Sequence, residues 1–141
     1  MTIISALKDY MLTFPGWESG ASLQIDQLGN EPTQYAIMPI TGARVVENYI
    51  DGGSLREYPF AIESMETILD DTQRIQNSAF YETLADWLES QTLTGNLPSL
   101  GTDKIATRIE ALGHGALFEF GESGTGIYQI QCKLVYEQMR R

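Results

Sequence analysis

The residues with reactive side chains are few and widely separated in this chain. His114 is the only histidine, and it lies between two glycines with no cysteine near it in the sequence. A catalytic base needs a positioned partner, so a turn histidine is the favoured interpretation. Cys132 is the only cysteine and lies between apolar residues of a regular strand pattern. Because a nucleophilic thiol needs an electropositive, partly open site, we expect Cys132 to be structural and buried.

Motifs for metals and phosphates are equally weak. Three closely spaced glycines lack the Gly-Lys-Ser/Thr ending of a phosphate-binding loop and do not open a helix; they are Gly121, Gly124 and Gly126. The acid pairs Asp70–Asp71 and Glu63/Glu66 offer oxygen atoms, but their spacing is not that of a calcium loop. A single cysteine excludes a disulfide within the chain and a thiolate metal cluster. We therefore expect no catalytic residues, no metal ligands and no cofactor.

The charge is acidic and unevenly distributed. Nine Lys and Arg against nineteen Asp and Glu give a formal net charge of −10. Residues 57–89 carry eight acids and one base, which is 1 − 8 = −7. Such a body repels phosphates, so tight nucleic-acid binding is not expected; solubility is the alternative role of the charge. No apolar run reaches the roughly 20 residues of a membrane span, and Lys8 and Asp9 interrupt the N-terminal apolar pattern, which is unlike a signal peptide.

Two segments have the periodicity of helices. Apolar residues at intervals of three and four predict a helix over residues 3–14, ended by Pro15 and Gly16. A longer helix is predicted over residues 72–94, preceded by acceptors for its first turn and followed by Gly95. Asn77 and Ser78 interrupt its good helix formers, so we expect a kink there. Its apolar face is expected to contain Ile75, Phe80, Leu84, Trp87, Leu88 and Leu93.

The remaining segments alternate as strands do. Strands are predicted at residues 22–28, 34–40, 45–50, 57–63, 104–112 and 128–137, and residues 116–120 extend the fifth after a Gly-His-Gly break. Asp51-Gly52 predicts a hairpin turn, residues 29–32 a second turn, and residues 65–69 a link. The order α-β-β-β(β)-α-β-β, in which the bracketed strand is the return strand of the hairpin, has short turns and predicts one α+β domain over residues 1–141. It has two layers, a mainly antiparallel sheet covered on one face by two helices.

Long polar side chains alternate with the apolar ones in the last strands. Gln129, Gln131 and Lys133 share one face of the final strand, and Arg108 belongs to the same set on the strand before it. These four residues are our candidate subunit contacts; a solvated face is the alternative. Trp17, next to Pro15-Gly16, is expected to be exposed to a partner.

Several separated motifs follow one another from about Leu23 onwards. They are Gln27-Leu28, Glu31-Pro32, Ile50-Asp51-Gly52, Ser54, Arg56, Asn77-Ser78, Phe80-Tyr81-Glu82, Trp87, Asn96-Leu97-Pro98, Leu100 and Tyr128-Gln129-Ile130-Gln131-Cys132. In residues and order they resemble the bacteriophage minor capsid protein family of tailed phages and prophages of Gram-positive bacteria. The extra Gly53 departs from that family's hairpin turn.

The resemblance implies a structural role without catalytic residues. The family looks like the tail-terminator proteins of long-tailed phages, whose hexameric ring caps the tail tube and meets the head connector. The implied partners are further copies of the chain, the major tail protein and the head-completion or connector protein. The implied location is the virion, assembled in the cytoplasm of the host bacterium. A head-side minor capsid or connector protein is the alternative, followed by a small enzyme or a dimeric binding module.

A ring in a tail must let DNA pass through its opening. Basic residues around the opening would hold the phosphates, whereas carboxylates would repel them and let the DNA slide. We therefore expect some of the acids between residues 57 and 89 to face the channel. The candidates for lumen-facing acids are Glu66, Asp70 and Asp71.

Overall fold

The computed structural model describes residues 2–17, 22–25, 34–40, 44–68, 70–120 and 124–140, and these form two helices and seven strands. The predicted turn at residues 29–32 and Gly121 lie outside the described residues. In chain order the elements are α1 (Ile3–Met11), β1 (Ser22–Ile25), β2 (Gln34–Pro39), β3 (Val45–Asn48), β4 (Ser54–Thr67), α2 (Asp71–Thr94), β5 (Lys104–Ala111), β6 (Ala116–Phe120) and β7 (Thr125–Gln138).

Two long antiparallel strands form the centre of the sheet. β4 and β7 pair along their whole length, from Ser54 opposite Gln138 to Thr67 opposite Thr125. β2 and β3 lie on the outer side of β4, with β1 beyond β2, and β5 and β6 lie end to end on the outer side of β7. Only the β1–β2 pair is parallel among the described strands. The predicted mainly antiparallel α+β fold is therefore confirmed.

The hairpin between β3 and β4 forms where Asp51-Gly52 predicted it. The N–H of Tyr49 donates to the carbonyl of Gly53 over 2.8 Å, and Asp51 Oδ1 accepts from the N–H of Gly53 over 2.9 Å. Gly52 has a φ of 95°, a left-handed conformation that glycine adopts without a steric cost. The turn brings the chain back into β4 beside β3.

Both helices pack on one face of the sheet, as predicted for a two-layer domain. The alternating residues of β7 that face the helices are all buried, and so are Phe60, Ile62 and Ser64 opposite them on β4, whereas Arg56 and Tyr58 nearer the hairpin are half-buried. Leu7 and Met11 of α1 and Leu84 and Leu88 of α2 complete the same core. The sheet side of this core contains Ile37, Phe60, Ile62, Ile109, Tyr128, Ile130, Cys132, Leu134 and Tyr136.

The long helix α2 has the ends that the sequence predicted, and it is continuous from Asp71 to Thr94 with no new start at Asn77 or Ser78. Asp70 Oδ1 accepts from the N–H of Gln73 over 2.9 Å, and Gly95 ends the helix with a φ of 77°. The helix continues through Asn77 because that side chain does not compete for its own backbone. Its Nδ2 instead donates to the carbonyl of Thr67 in β4, over 3.0 Å.

Trp17 is half-buried, so the expectation that it is exposed was wrong. Helix α1 ends at Met11, before the predicted stop, and the chain then folds back over it. Trp17 Nε1 donates to the carbonyl of Met11 over 2.8 Å, and its ring centroid lies 4.8 Å from that of Tyr35 and 5.3 Å from that of Phe14. Trp17 therefore joins an aromatic cluster between the helices and β2.

Candidate assembly surfaces

The face of the sheet turned away from the helices carries a network of ion pairs. Lys133 Nζ lies 3.0 Å from Glu57 Oε2 and 3.8 Å from Glu110 Oε1, and Arg108 Nε lies 3.7 Å from Glu110 Oε2. These residues come from β4, β7 and β5, so the network crosses three neighbouring strands. Exposed ion pairs contribute little stability each, but they present alternating charges in fixed positions.

The four candidate subunit contacts occupy this outer face, where strand alternation placed them. Lys133 and Arg108 belong to the ion-pair network. Gln129 Nε2 donates to Glu63 Oε2 on the neighbouring strand, over 2.6 Å. Gln131 is exposed and lies opposite the buried Ala61. Three of the four are thus engaged within the chain, and Gln131 and Arg108 are the two that are exposed.

The three candidate channel acids are placed differently from one another. Asp70 and Asp71 are exposed at the start of α2, and Asp71 Oδ1 lies 3.5 Å from Arg74 Nη1. Glu66 lies in β4 instead of the predicted link, because β4 continues to Thr67 opposite β7. Its side chain is only 5% exposed. Asp70 and Asp71 therefore reach the surface of the chain, and Glu66 does not.

Glu66 belongs to a buried polar cluster that the sequence reasoning missed. Ser64 Oγ donates to Glu66 Oε2 over 3.2 Å and lies 2.5 Å from Tyr81 Oη. Tyr81 Oη donates in turn to the carbonyl of Tyr128 over 3.2 Å, and burial raises the pKa of the Tyr81 hydroxyl. The cluster fixes α2 against β4 and β7. The alternation of β4 was the signal that could have indicated it, because Ser64 and Glu66 lie on the same face of the strand as the core residue Ile62.

The outer edge of β5 is closed by a side chain of α2. The Thr92 hydroxyl donates to the carbonyl of Ile109 over 2.7 Å and accepts from the N–H of the same residue over 3.0 Å. It thereby satisfies both backbone groups that another strand would need for pairing at this position. No local sequence pattern indicates this contact, because it joins residues of two separate elements.

Other edges of the sheet are open. β6 pairs only with β7 among the described strands, and all five of its residues are exposed. Phe118 and Phe120 are 60% and 71% exposed. On the opposite side of the sheet, β3 pairs only with β4, and its four residues are exposed as well. Open edges with apolar side chains are typical of surfaces that meet another chain.

A groove runs between α2 and β5. It has a volume of about 380 Å³ and is open to solvent on one side. Leu93 contributes an exposed apolar side chain, and Asp86 and Glu89 contribute carboxylates from the same helix. We call this feature the α2–β5 groove; its lining is Ala85, Asp86, Glu89, Thr92, Leu93, Ile109, Glu110, Ala111 and Gly113.

The predicted apolar face of α2 was wrong at its two ends, since Leu93 and Ile75 are both exposed.

The reactive residues that opened the sequence analysis lie apart. Cys132 is fully buried, as expected, and burial raises the pKa of its thiol. His114 is exposed in the loop between β5 and β6. Within the described ranges, no three His, Cys, Asp or Glu residues are grouped so that they could hold a metal ion. The helices described here are too short or too polar to cross a membrane.

No protein-family model matches the chain, and no curated protein matches it. The functional conclusion is therefore drawn from the surfaces of this chain and from its sequence motifs.

Proposed function

We propose that the chain is a structural subunit of a phage virion, a tail terminator that forms a ring at the head-proximal end of the tail. The ring caps the tail tube and contacts the head connector. The observation that carries the proposal is the pair of open, apolar sheet edges on opposite sides of one molecule. Different surfaces that meet head to tail generate a ring when the rotation between copies closes.

The two sides of the sheet differ, which favours a cyclic assembly over a two-fold one. β3 lies beside β4 with Val45 and Val46 exposed, and β6 lies beside β7 with Phe118 and Phe120 exposed. A two-fold dimer uses the same patch on both copies and would leave the other edge uncovered. In a closed ring every copy uses two different surfaces, one for each neighbour, so the two sides of the sheet have separate partners.

The tail location comes from the sequence motifs. The Asp51-Gly52 motif forms the β3–β4 turn, the motif around Tyr81 lies in α2, and the motif from Tyr128 to Cys132 lies in β7. These segments build the hairpin, the covering helix and the central strand. The resemblance to phage minor capsid proteins therefore involves the parts of the chain that define its architecture. The proposed partners are further copies, the major tail protein and the connector protein, and the location is the virion.

The mass of the purified protein in solution tests the ring. We expect light scattering to give a single cyclic species, six copies in the proposed form, and electron micrographs to show rings with a central opening. The rings should bind the ends of tubes made from the major tail protein. A stable two-fold dimer would contradict the proposal and favour a dimeric binding module. Rings that bind isolated connectors but ignore tail tubes would assign the chain to the head side.

A further inference from the structure

Three arginines without ion-pair partners among the described residues lie together at one end of the molecule. Arg44 precedes β3, and Arg56 lies on β4 directly opposite Val45. Arg56 and Arg140 line the same surface hollow, and a Cβ atom on Gly52 would lie 3.2 Å from Arg140 Cγ. The other described arginines, Arg74 and Arg108, lie within 4 Å of carboxylates on their own elements. Arg56 Nε donates a hydrogen bond to Ser54 Oγ over 2.8 Å, and none of the three arginines has a carboxylate partner among the described residues. They lie around the β3–β4 hairpin.

The same hairpin exposes aliphatic side chains. Val45 and Val46 are 41% and 51% exposed, and Ile50 in the turn is fully exposed. We call this combination the hairpin edge; it contains Arg44, Val45, Val46, Ile50, Arg56 and Arg140. Two acids, Glu47 and Asp51, also lie in the hairpin. Apolar residues flanked by cations require an apolar surface flanked by anions as a partner.

The α2–β5 groove has that character. Leu93 and Ala85 provide the apolar wall, and Asp86 and Glu89 lie one helical turn apart on the rim. Both acids are exposed, and neither forms an ion pair within 4 Å with any described residue. The carboxylates of α2 that border the groove therefore have no cationic partner among the described residues.

The hairpin edge and the groove lie on opposite sides of the sheet. Arg56 on β4 is opposite Tyr136 on β7, whereas Ile109 in the groove is opposite Leu134, two residues further along β7. The groove therefore lies nearer the middle of the sheet than the hairpin edge does. A second copy placed beside the first and shifted by that distance along the strands brings its hairpin edge to the groove of the first.

We propose that the hairpin edge of one copy occupies the α2–β5 groove of the next. Val45 and Val46 pack against Leu93, while the arginines approach Asp86 and Glu89. Because the Thr92 hydroxyl occupies the backbone groups of Ile109, side chains make the contact there instead of a continued strand ladder. This inference rests on the proposed ring and identifies the surfaces that build it.

Paired charge reversals test the contact. R44E/R56E alone and D86K/E89K alone should each raise the apparent dissociation constant between copies at least about tenfold, because like charges then face each other. Mixing the two variants should restore rings, since each altered surface then meets its complement on the other variant. D9K/E82K changes the net charge as D86K/E89K does, at exposed sites outside the groove, and should assemble like the wild type.

Cysteine cross-linking provides a readout that does not depend on ring stability. V46C and L93C are separate variants at exposed positions, and the buried Cys132 should stay unreactive in both. Oxidation of a mixture should give V46C–L93C dimers in excess of either homodimer. Predominant V46C–V46C dimers would overturn the proposal, because the hairpin edges would then meet each other.

The outcomes separate this contact from the function. If the wild type and both charge-reversed variants form rings, and the cysteine variants give no V46C–L93C dimer, the contact is overturned and the ring stays in place. A wild-type chain that stays monomeric, gives no mixed dimer and ignores tail tubes would overturn both. Loss of rings in each charge variant, with recovery on mixing, supports the contact.

Discussion

Single side chains of β7 explain why the sheet has one buried and one polar face. Leu134, Ile130 and Cys132 point towards the helices, while Gln131 and Lys133 between them point away. Strand residues alternate between the two faces, so the composition of this segment fixes its orientation. Shifting the strand by one residue would turn Ile130, Cys132 and Leu134 away from the helices and turn Gln131 and Lys133 towards them.

Replacing Leu134 with alanine should destabilise the fold strongly. Leu134 is completely buried, and its loss leaves a cavity between the sheet and the helices, at a cost of about 2–5 kcal/mol. The matched control is Gln131→Ala, an exposed change on the same strand that should alter the free energy of unfolding by less than about 0.5 kcal/mol. Denaturant melts of both variants give the comparison. A loss below about 0.5 kcal/mol for Leu134→Ala would show that this face is not core.

At the scale of elements, the features that could be predicted from the sequence are the helix ends and turns that a few neighbouring residues determine. The oxygen of Asp70 and the conformational freedom of Gly95 mark the ends of α2, and Asp51-Gly52 marks the hairpin. Features set by contacts between distant segments were missed. The parallel pairing of β1 with β2 and the closure of β5 by Thr92 leave no periodic signal. The groove and the hairpin edge were missed for the same reason, since each combines residues from several elements.

Gly95→Ala should weaken α2 through its backbone alone. A Cβ atom there would meet nothing within 4 Å, so the cost comes from the left-handed conformation of Gly95 and amounts to about 1–2 kcal/mol. Gly113→Ala is the matched control, because its surroundings are equally open and its φ is not in the left-handed region. That variant should be neutral or slightly stabilising. Equal melting temperatures for the two alanine variants would contradict the role of Gly95 as a cap.

At the scale of the whole molecule, the surplus acids of residues 57–89 divide into two groups. Glu57 and Glu63 are engaged on the sheet, and Glu66 is buried. The others form the exposed acidic side of α2, with Arg74 as its one base; they are Asp70, Asp71, Glu82, Asp86 and Glu89. About 36 Å separates the ends of a helix of this length. Its first turn can therefore face a channel while its last turns meet a neighbouring copy.

We expect the wild-type protein not to bind duplex DNA at an ionic strength of about 0.15 M. Its net charge of −10 repels phosphates, and a carboxylate-lined opening would let DNA slide. A mobility-shift assay on the assembled protein checks this, with D70K/D71K as the comparison that places cations at the proposed channel. Retardation of DNA by the wild type would remove the sliding argument. A ring structure in which Asp70 and Asp71 point outwards would leave the acids as a solubility feature.

The pairing of β4 with β7 also has a consequence for how the chain folds. Ser54 pairs with Gln138, so the two central strands come from segments that are separated by most of the second half of the sequence. Such non-local pairing slows folding, because loop-closure entropy is lost before the contacts form. β7 also leaves the ribosome after every strand with which it pairs. Newly made chains should therefore hold β4 and α2 without their central partner for some time, and this interval is when they are most prone to aggregate.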